Sequence, residues 1–107
     1  MKIYPRFKLW LENEEGQFLL GEGTFKLLED IGLTGSLSEA AKKSGISYAH
    51  AWKKIRKVEK MMGKSLLVKS RGGVGGGHST LTDDGRALLE RFTDTKRIIN
   101  ESLIRSL

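Results

Sequence analysis

The sequence contains no cysteine, a single proline and no long apolar run. Without cysteine the chain can form neither disulfides nor thiolate metal sites. No stretch approaches the roughly 20 apolar residues that a membrane-spanning helix needs. The N-terminus also lacks the basic segment and apolar run of a signal peptide. We therefore expect a cytoplasmic protein with no membrane partner.

Residues that build catalytic or metal sites are also sparse. The two histidines, His50 and His78, have no nearby carboxylates at metal-ligand spacing. Asp83 and Asp84 are explained as acids at the start of a helix, where the helix dipole favours negative charge. No nucleophile or paired-carboxylate arrangement remains. We predict one domain of 107 residues that is not an enzyme and holds no metal or cofactor.

The charge is unevenly distributed along the chain. The formal net charge is +6. Residues 1–41 hold four Lys/Arg against seven Asp/Glu, residues 42–71 hold ten against one, and residues 72–107 hold five of each. A positive region within an otherwise balanced chain indicates a polyanionic partner, and we favour nucleic acid. An anionic membrane surface is the rival, but the basic segment is expected to bury its apolar side in the domain core.

Residues 35–63 read as two helices joined by a tight turn. Ser36 is placed to cap the first helix, and Glu39 follows at capping-box spacing. Gly45 suits the left-handed conformation that ends a helix. Ser47 then caps a second helix from Tyr48 onward. This pattern predicts a helix-turn-helix.

The second helix, predicted over residues 48–62, has two different faces. Its apolar stripe follows helical spacing, with two aromatic residues on its shoulder: Ala51, Ile55, Val58 and Met62, then Tyr48 and Trp52. The opposite side is almost wholly basic: Ala49, His50, Lys53, Lys54, Arg56, Lys57 and Lys60. A basic face on a second helix suits insertion into a DNA major groove. The alternative is that these cations only solvate an exposed helix.

The segment before the helix-turn-helix predicts a hairpin and a supporting helix. Residues 3–11 alternate in polarity, which predicts a strand that begins after Pro5 or lies at an edge. Residues 17–20 return as its partner after a polar turn. A helix is then expected within residues 21–35, closed by Gly32 and Gly35, with a core stripe drawn from Phe25, Leu28 and either Ile31 or Leu33.

The segment after the helix-turn-helix predicts a wing. Residues 65–70 read as a strand with Leu81 in its partner, and residues 71–78 form a loop with five glycines. The glycines let the backbone approach a phosphate chain, with charge or donors from Lys69, Arg71 and His78. The alternative of a nucleotide-binding loop lacks both the GxGxxG and the Gly-Lys-Ser/Thr patterns.

A long C-terminal helix is predicted from Thr82 to near Leu107. At 1.5 Å per residue it would extend about 36 Å, which is longer than so small a domain covers. We expect the excess to pair with a second copy. The predicted interface is Leu88, Phe92, Ile99 and Leu103. The alternative is that the helix folds back along its own domain.

Three segments resemble the N-terminal winged-helix domain of ModE-type molybdate-responsive transcription regulators, distant relatives of LysR-type DNA-binding domains. They are LLGEG, TGSLSEAAKKSGISYAHAWKKI and LLVKSRGGVGGGHSTLTDDGRALL, within residues 21–89 or just before them. The resemblance implies operator binding as a dimer, with the recognition helix opening at Ser47, Tyr48, Ala49, His50, Trp52 and Lys53. This sequence ends after the long helix, so we expect no molybdate-binding domain and leave the effector open.

Together these observations predict a mainly α protein with small β elements. Residues 1–81 would form the winged helix-turn-helix and residues 82–107 the dimerisation helix. The predicted function is sequence-specific binding of double-stranded DNA by a homodimeric transcriptional regulator. The alternatives are a sequence-indifferent chromatin-type DNA binder and a protein-interaction module. The predicted DNA-binding residues are Ser36, Ser47, Tyr48, Ala49, His50, Trp52, Lys53, Lys54, Arg56, Lys57, Lys69, Arg71, Gly75, Gly76, Gly77 and His78.

Overall fold

The computed structural model describes residues 1–70 and 78–107. Two short hairpins flank three helices, and a long helix follows. In chain order the elements are β1 (Trp10–Glu12), β2 (Phe18–Gly21), α1 (Glu22–Thr34), α2 (Leu37–Ser44), α3 (Tyr48–Met62), β3 (Leu67–Ser70), β4 (His78–Leu81) and α4 (Asp83–Arg105).

The core lies between α1, α2 and α3 and extends onto the start of α4. Small side chains line the crossing of α2 and α3: Ala40, Ala41 and Ala51 are all buried. Their small size lets the two helices approach closely. Larger apolar residues fill the remaining volume: Leu20, Leu27, Leu28, Ile31, Leu37, Ile55, Val58, Leu66 and Phe92.

Each hairpin is a separate antiparallel pair. In the first, Leu11 lies opposite Leu20, and the register shifts between Leu11 and Glu12. In the second, Leu67 lies opposite Leu81, which confirms Leu81 as the partner of the strand after α3. The predicted loop residues Arg71, Gly75, Gly76 and Gly77 lie outside the described residues, and His78 begins β4.

The long N-terminal strand predicted over residues 3–11 is wrong for most of its length. The structure has a strand only over Trp10–Glu12, and residues 1–9 belong to no strand or helix. A strand needs a partner, and β2 offers only four residues before the chain enters α1 at Glu22. Alternating polarity alone therefore overestimates the sheet.

Only one of the two glycines predicted to close α1 does so. Gly35 adopts φ 70° and its amide donates to the Ile31 carbonyl, whereas Gly32 lies inside the helix. Gly32 faces the second hairpin, since a Cβ there would stand 3.3 Å from Leu81 Cδ1. Ile31 completes the core stripe, and Leu33 is 75% exposed.

Two of the four residues predicted for a dimer interface are instead part of the protomer's own core. Phe92 is fully buried, and its ring stacks on that of Phe25 with the centroids 4.3 Å apart. Leu88 is also buried. The prediction treats these four residues as one surface, but α1 covers the part of α4 that carries Phe92. Ile99 and Leu103, farther along, are half-buried.

The observed architecture confirms the predicted fold class. It is mainly helical, with a hairpin before α1, the helix-turn-helix of α2 and α3, a second hairpin in the position of a wing, and the long α4. The division at residue 82 stays a prediction.

Candidate nucleic-acid interface

The turn between α2 and α3 is fixed by hydrogen bonds at three helix ends. Ser36 Oγ accepts from the Glu39 amide and Ser47 Oγ accepts from the His50 amide, each at 3.1 Å. Gly45, at φ 69°, donates to the Lys42 carbonyl, and the Ile46 amide donates to the Ala41 carbonyl at 3.1 Å. This pair of bonds is a Schellman motif, completed by the packing of Ile46 against the core. The predicted helix-turn-helix is confirmed.

Helix α3 turns one side to the core and the other to solvent. Ala51 and Ile55 are fully buried and Val58 is 2% exposed. We name the exposed residues His50, Lys53, Lys57 and Lys60 the α3 basic face. Lys54 is half-buried at its edge, with Nζ 3.5 Å from where a Cβ on Gly23 would stand. Part of this face forms a shallow open groove lined by Ala49, His50, Lys53, Lys54 and Lys57.

The cations of the α3 basic face are not neutralised locally. Within the described parts of the chain, neither Lys53, Lys57 nor Lys60 forms an ion pair with a carboxylate. The one acid of α3, Glu59, points elsewhere and accepts from the Leu66 amide at 2.8 Å. It therefore fixes the chain leaving α3 rather than offsetting the basic face.

Arg56 lies on a different side of α3 from the groove. Its guanidinium is 3.9 Å from a Glu59 carboxylate oxygen and 5.8 Å from the centroid of the Trp52 ring. With Lys60 and Lys64 it lines a second depression near Gly63, at the end of the helix. The predicted basic residues thus occupy two neighbouring sides of α3.

We call β3 and β4 the wing stem, and both of its strands contact the helical part of the molecule. The Ser79 amide of β4 donates to the Gly35 carbonyl at the end of α1, at 2.8 Å. On β3, the Lys69 ammonium donates to the Tyr48 hydroxyl and lies 4.5 Å from the centroid of the Trp52 ring. The wing stem is therefore tied to both α1 and α3.

The start of α4 also positions the wing stem, through Thr82 and Gly85. This role was not predicted from the sequence for either residue. Thr82 caps α4 and in addition donates from its hydroxyl to the Ser65 carbonyl at 2.6 Å. A Cβ on Gly85 would lie only 2.4 Å from the Leu66 carbonyl oxygen. The signal was present as the LT-x-x-G pattern, because threonine at a helix start followed by glycine indicates a close backbone approach.

The far half of α4 leaves apolar side chains at the surface. We name Ile99, Leu103 and Ile104, together with Leu107 just beyond the end of the helix, the distal α4 face; Ile104 is 67% and Leu107 is 68% exposed. A groove lined in part by Leu103 and Ile104 also includes Pro5 and Phe7, so the N-terminal segment runs beside this face. None of the helices in the described parts of the chain is long and apolar enough to cross a membrane.

The helix-turn-helix and its wing stem match a known family. Residues 24–86, more than half of the chain, match the family described as bacterial regulatory helix-turn-helix proteins of the lysR family. The chain belongs to this family. The match runs from the first turn of α1 to the first turn of α4, so it includes all elements that position the α3 basic face.

Similar proteins carry ModE-type names. The chain is 39% identical over 66 residues to the DNA-binding transcriptional dual regulator ModE of Escherichia coli (strain K12), which covers 62% of this chain and 25% of that protein. It is 36% identical over 73 residues to the molybdenum transport protein ModE of Azotobacter vinelandii, covering 68% and 27%. It is 33% identical over 73 residues to the molybdenum-pterin-binding protein MopB of Rhodobacter capsulatus, again 68% and 27%. The chain thus spans about a quarter of the length of these relatives.

A solved structure supports the fold. The crystal structure of ArgP from Mycobacterium tuberculosis superposes on 79% of this chain and 30% of its own, with a TM-score of 0.59 and 20% sequence identity. At that identity the likeness shows the fold alone.

Proposed function

We propose that this chain binds double-stranded DNA sequence-specifically and regulates transcription as a homodimer, without enzymatic activity. One observation carries the proposal. The α3 basic face is exposed, is not offset by acids of its own helix, and is held at a fixed angle by capped helix ends. A rigid cationic helix of this kind fits the major groove, where phosphates attract it and base edges specify its position.

Position along α3 separates two roles within the basic face. His50 and Lys53 lie in the first turn and a half, next to the Ser47 cap. In this docking geometry the N-terminal residues of the recognition helix approach base edges. Lys57 and Lys60 lie farther along and are assigned to the phosphate backbone. Ser36 caps α2, and its role at the DNA stays a prediction.

Dimerisation is supported by the distal α4 face. Its exposed aliphatic side chains lie beyond the part of α4 that Phe25 covers. Pairing two copies across this face would bury those side chains and place two α3 helices in successive major grooves, about 34 Å apart. The expected binding site is therefore an inverted repeat.

The ModE-type names of the relatives belong to much longer proteins, and we extend only the DNA-binding part to this chain. ModE of Escherichia coli is described as a DNA-binding transcriptional regulator, which supports the proposal. The family match over residues 24–86 contains the helix-turn-helix and the wing stem, and no effector is assigned.

Selection of duplexes from a random-sequence pool tests the proposal. The purified chain should enrich one inverted repeat and bind it about 10³-fold more tightly than a scrambled duplex at the same salt concentration. Equal affinity for the two duplexes would instead identify a sequence-indifferent DNA binder. No binding of either duplex at low salt would remove nucleic acid as the partner.

A further inference from the structure

The Lys69 ammonium group contacts two aromatic residues of α3. Its Nζ is 4.5 Å from the centroid of the Trp52 ring and 4.9 Å from that of the Tyr48 ring, and it donates to the Tyr48 hydroxyl. We call Tyr48 and Trp52 the aromatic pair. The face of the Trp52 ring and the Tyr48 hydroxyl thus hold one ammonium group that is 21 residues away from Tyr48 in the chain.

The aromatic pair joins the core to the start of α3. Trp52 is partly buried and packs against the hydrophobic core, whereas Tyr48 is 45% exposed and stands in the first turn of the helix. A cation over an aromatic face is attracted by the ring quadrupole within about 6 Å of the centroid. Lys69 therefore connects an anchored ring, an exposed ring and a strand of the wing stem.

The backbone of Lys69 is as well fixed as its side chain. Lys69 lies opposite Ser79 in the β3–β4 ladder, and the Ser79 amide donates to the Gly35 carbonyl. One path of contacts therefore runs from the end of α1 across the wing stem to the first turn of α3. A displacement of the wing stem would therefore displace Tyr48, which lies two residues before His50.

The Tyr48 hydroxyl is oriented by this contact. Because its oxygen accepts from the Lys69 ammonium, its own hydrogen remains free to be donated in another direction. At the exposed first turn of α3, that donor would meet an acceptor on DNA. Lys69 thus orients the Tyr48 hydroxyl for binding, while its own ammonium group is held against Tyr48 and Trp52.

We propose that Lys69 is a positioning residue that locks the wing stem to the recognition helix, so that the two meet DNA as one rigid surface. This inference rests on the proposed function and revises the sequence prediction that Lys69 contacts DNA at the base of the wing. Substitution of a positioning residue should lower the affinity for the preferred duplex relative to that for other sequences. Loss of a phosphate contact should lower the affinity for all sequences alike.

The contact itself can be measured without DNA. In the NMR spectrum of the unaltered chain, the Lys69 methylene protons next to Nζ should resonate upfield of those of other lysines, because the ammonium beside them lies 4.5 Å from the centroid of the Trp52 ring. Lys64, which pairs with Asp84 at 3.6 Å, serves as the internal reference. Coincident Lys69 and Lys64 shifts would overturn the proposed lock directly.

The role is tested with the selected duplex and its scrambled counterpart over a range of salt concentrations. Lys69→Met should reduce the ratio of the two affinities about 10-fold, the scale of cation–π contacts, and should change scrambled-duplex affinity and the salt slope less than Lys57→Met does. Lys69→Arg keeps a cation beside Trp52 and Tyr48 and should restore the ratio. Lys57→Met is the matched comparison and should weaken both duplexes and flatten the slope by about one.

The outcomes separate this inference from the proposed function. If Lys69→Met behaves like Lys57→Met, or leaves the affinity ratio unchanged, Lys69 is not a positioning residue even though the chain reads sequence. If the unaltered chain shows no preference for any duplex, the proposed function fails, and Lys69 has no role in discrimination.

Discussion

Helices α3 and α4 each carry five Lys or Arg residues, yet they use them differently. Helix α4 has five acids to match, and its Arg97 lies 3.8 Å from Asp94 and 3.2 Å from Glu101. Helix α3 has only Glu59, which pairs with Arg56 at 3.9 Å and also accepts from the Leu66 amide. Equal numbers of cations thus give α4 a locally neutral surface and leave most of the positive charge of α3 uncompensated.

The same two helices differ in the apolar residues they expose. The apolar stripe of α3 is buried at Ala51, Ile55 and Val58, whereas that of α4 leaves Ile104 and Leu107 at the surface. A polyanion is the natural partner of the first helix, and a second apolar surface is the natural partner of the second. The contrast supports the proposal that α3 binds DNA and that α4 mediates self-association.

The largest effect is expected when exposed apolar side chains of α4 are replaced by polar ones. Leu103→Gln together with Ile104→Gln should yield a monomer in sedimentation, because it makes part of the distal α4 face polar. Affinity for the inverted repeat should fall by about 10²-fold or more, since the two half-sites are no longer bound together. Leu33→Gln changes an exposed aliphatic residue on α1 and should change neither property. A double variant that remains dimeric would exclude this interface.

The second effect concerns the joint between α4 and the wing stem. Gly85→Ala should lower the free energy of unfolding by about 1–3 kcal/mol, because the new Cβ would lie 2.4 Å from the Leu66 carbonyl oxygen. Gly23→Ala is the matched control in the first turn of α1, where a Cβ meets only Lys54 Nζ at 3.5 Å. It should be neutral or stabilising by roughly 0.5–1 kcal/mol. Equal chemical-denaturation midpoints for the two variants would contradict the close approach.

A third prediction separates the two roles proposed within the α3 basic face, base reading and phosphate binding. His50→Ala should cost about 1–3 kcal/mol of binding on the preferred duplex and little on a scrambled one. Lys60→Ala should weaken both duplexes equally and flatten the salt dependence by about one. Titrations of both variants at several salt concentrations measure the two quantities. The same uniform loss in both variants would refute the division between base reading and phosphate binding.

The smallest expected effect lies in the cap that orients α3. Ser47→Ala removes the 3.1 Å hydrogen bond to the His50 amide and should destabilise the fold by about 1 kcal/mol. Ser38→Ala, at an exposed position inside α2, is the control and should be close to neutral. Thermal unfolding of the two variants measures the difference, and indistinguishable stabilities would mean that this cap is dispensable.

The sequence predicted the features that depend on neighbouring residues. The caps at Ser36 and Ser47, the helix-ending Gly45 and the bounds of α3 follow from side chains within four positions of the groups they bind. Their energetics are local, so the pattern of residues was sufficient. These same features define the helix-turn-helix and therefore most of the candidate interface.

The predictions that failed depended on distant partners. Residues 3–9 alternate like a strand, but β2 is too short to pair with them. Phe92 belongs to the same helical stripe as Ile99, and only the stacking of Phe25 on it separates a core residue from a surface one. The position of the Lys69 ammonium depends likewise on Tyr48, 21 residues earlier. Spacing along one element cannot reveal what covers it.

The most direct test of the central claim varies the spacing between half-sites in the selected inverted repeat. If two α3 basic faces are held by one α4 pair, they reach successive major grooves on the same side of the duplex. Inserting about 5 base pairs, half a helical turn, moves one half-site to the opposite side and should reduce affinity by about 10²-fold. An affinity unchanged by the insertion would show that the two halves bind independently and would contradict the assignment of α3 to DNA and α4 to the dimer.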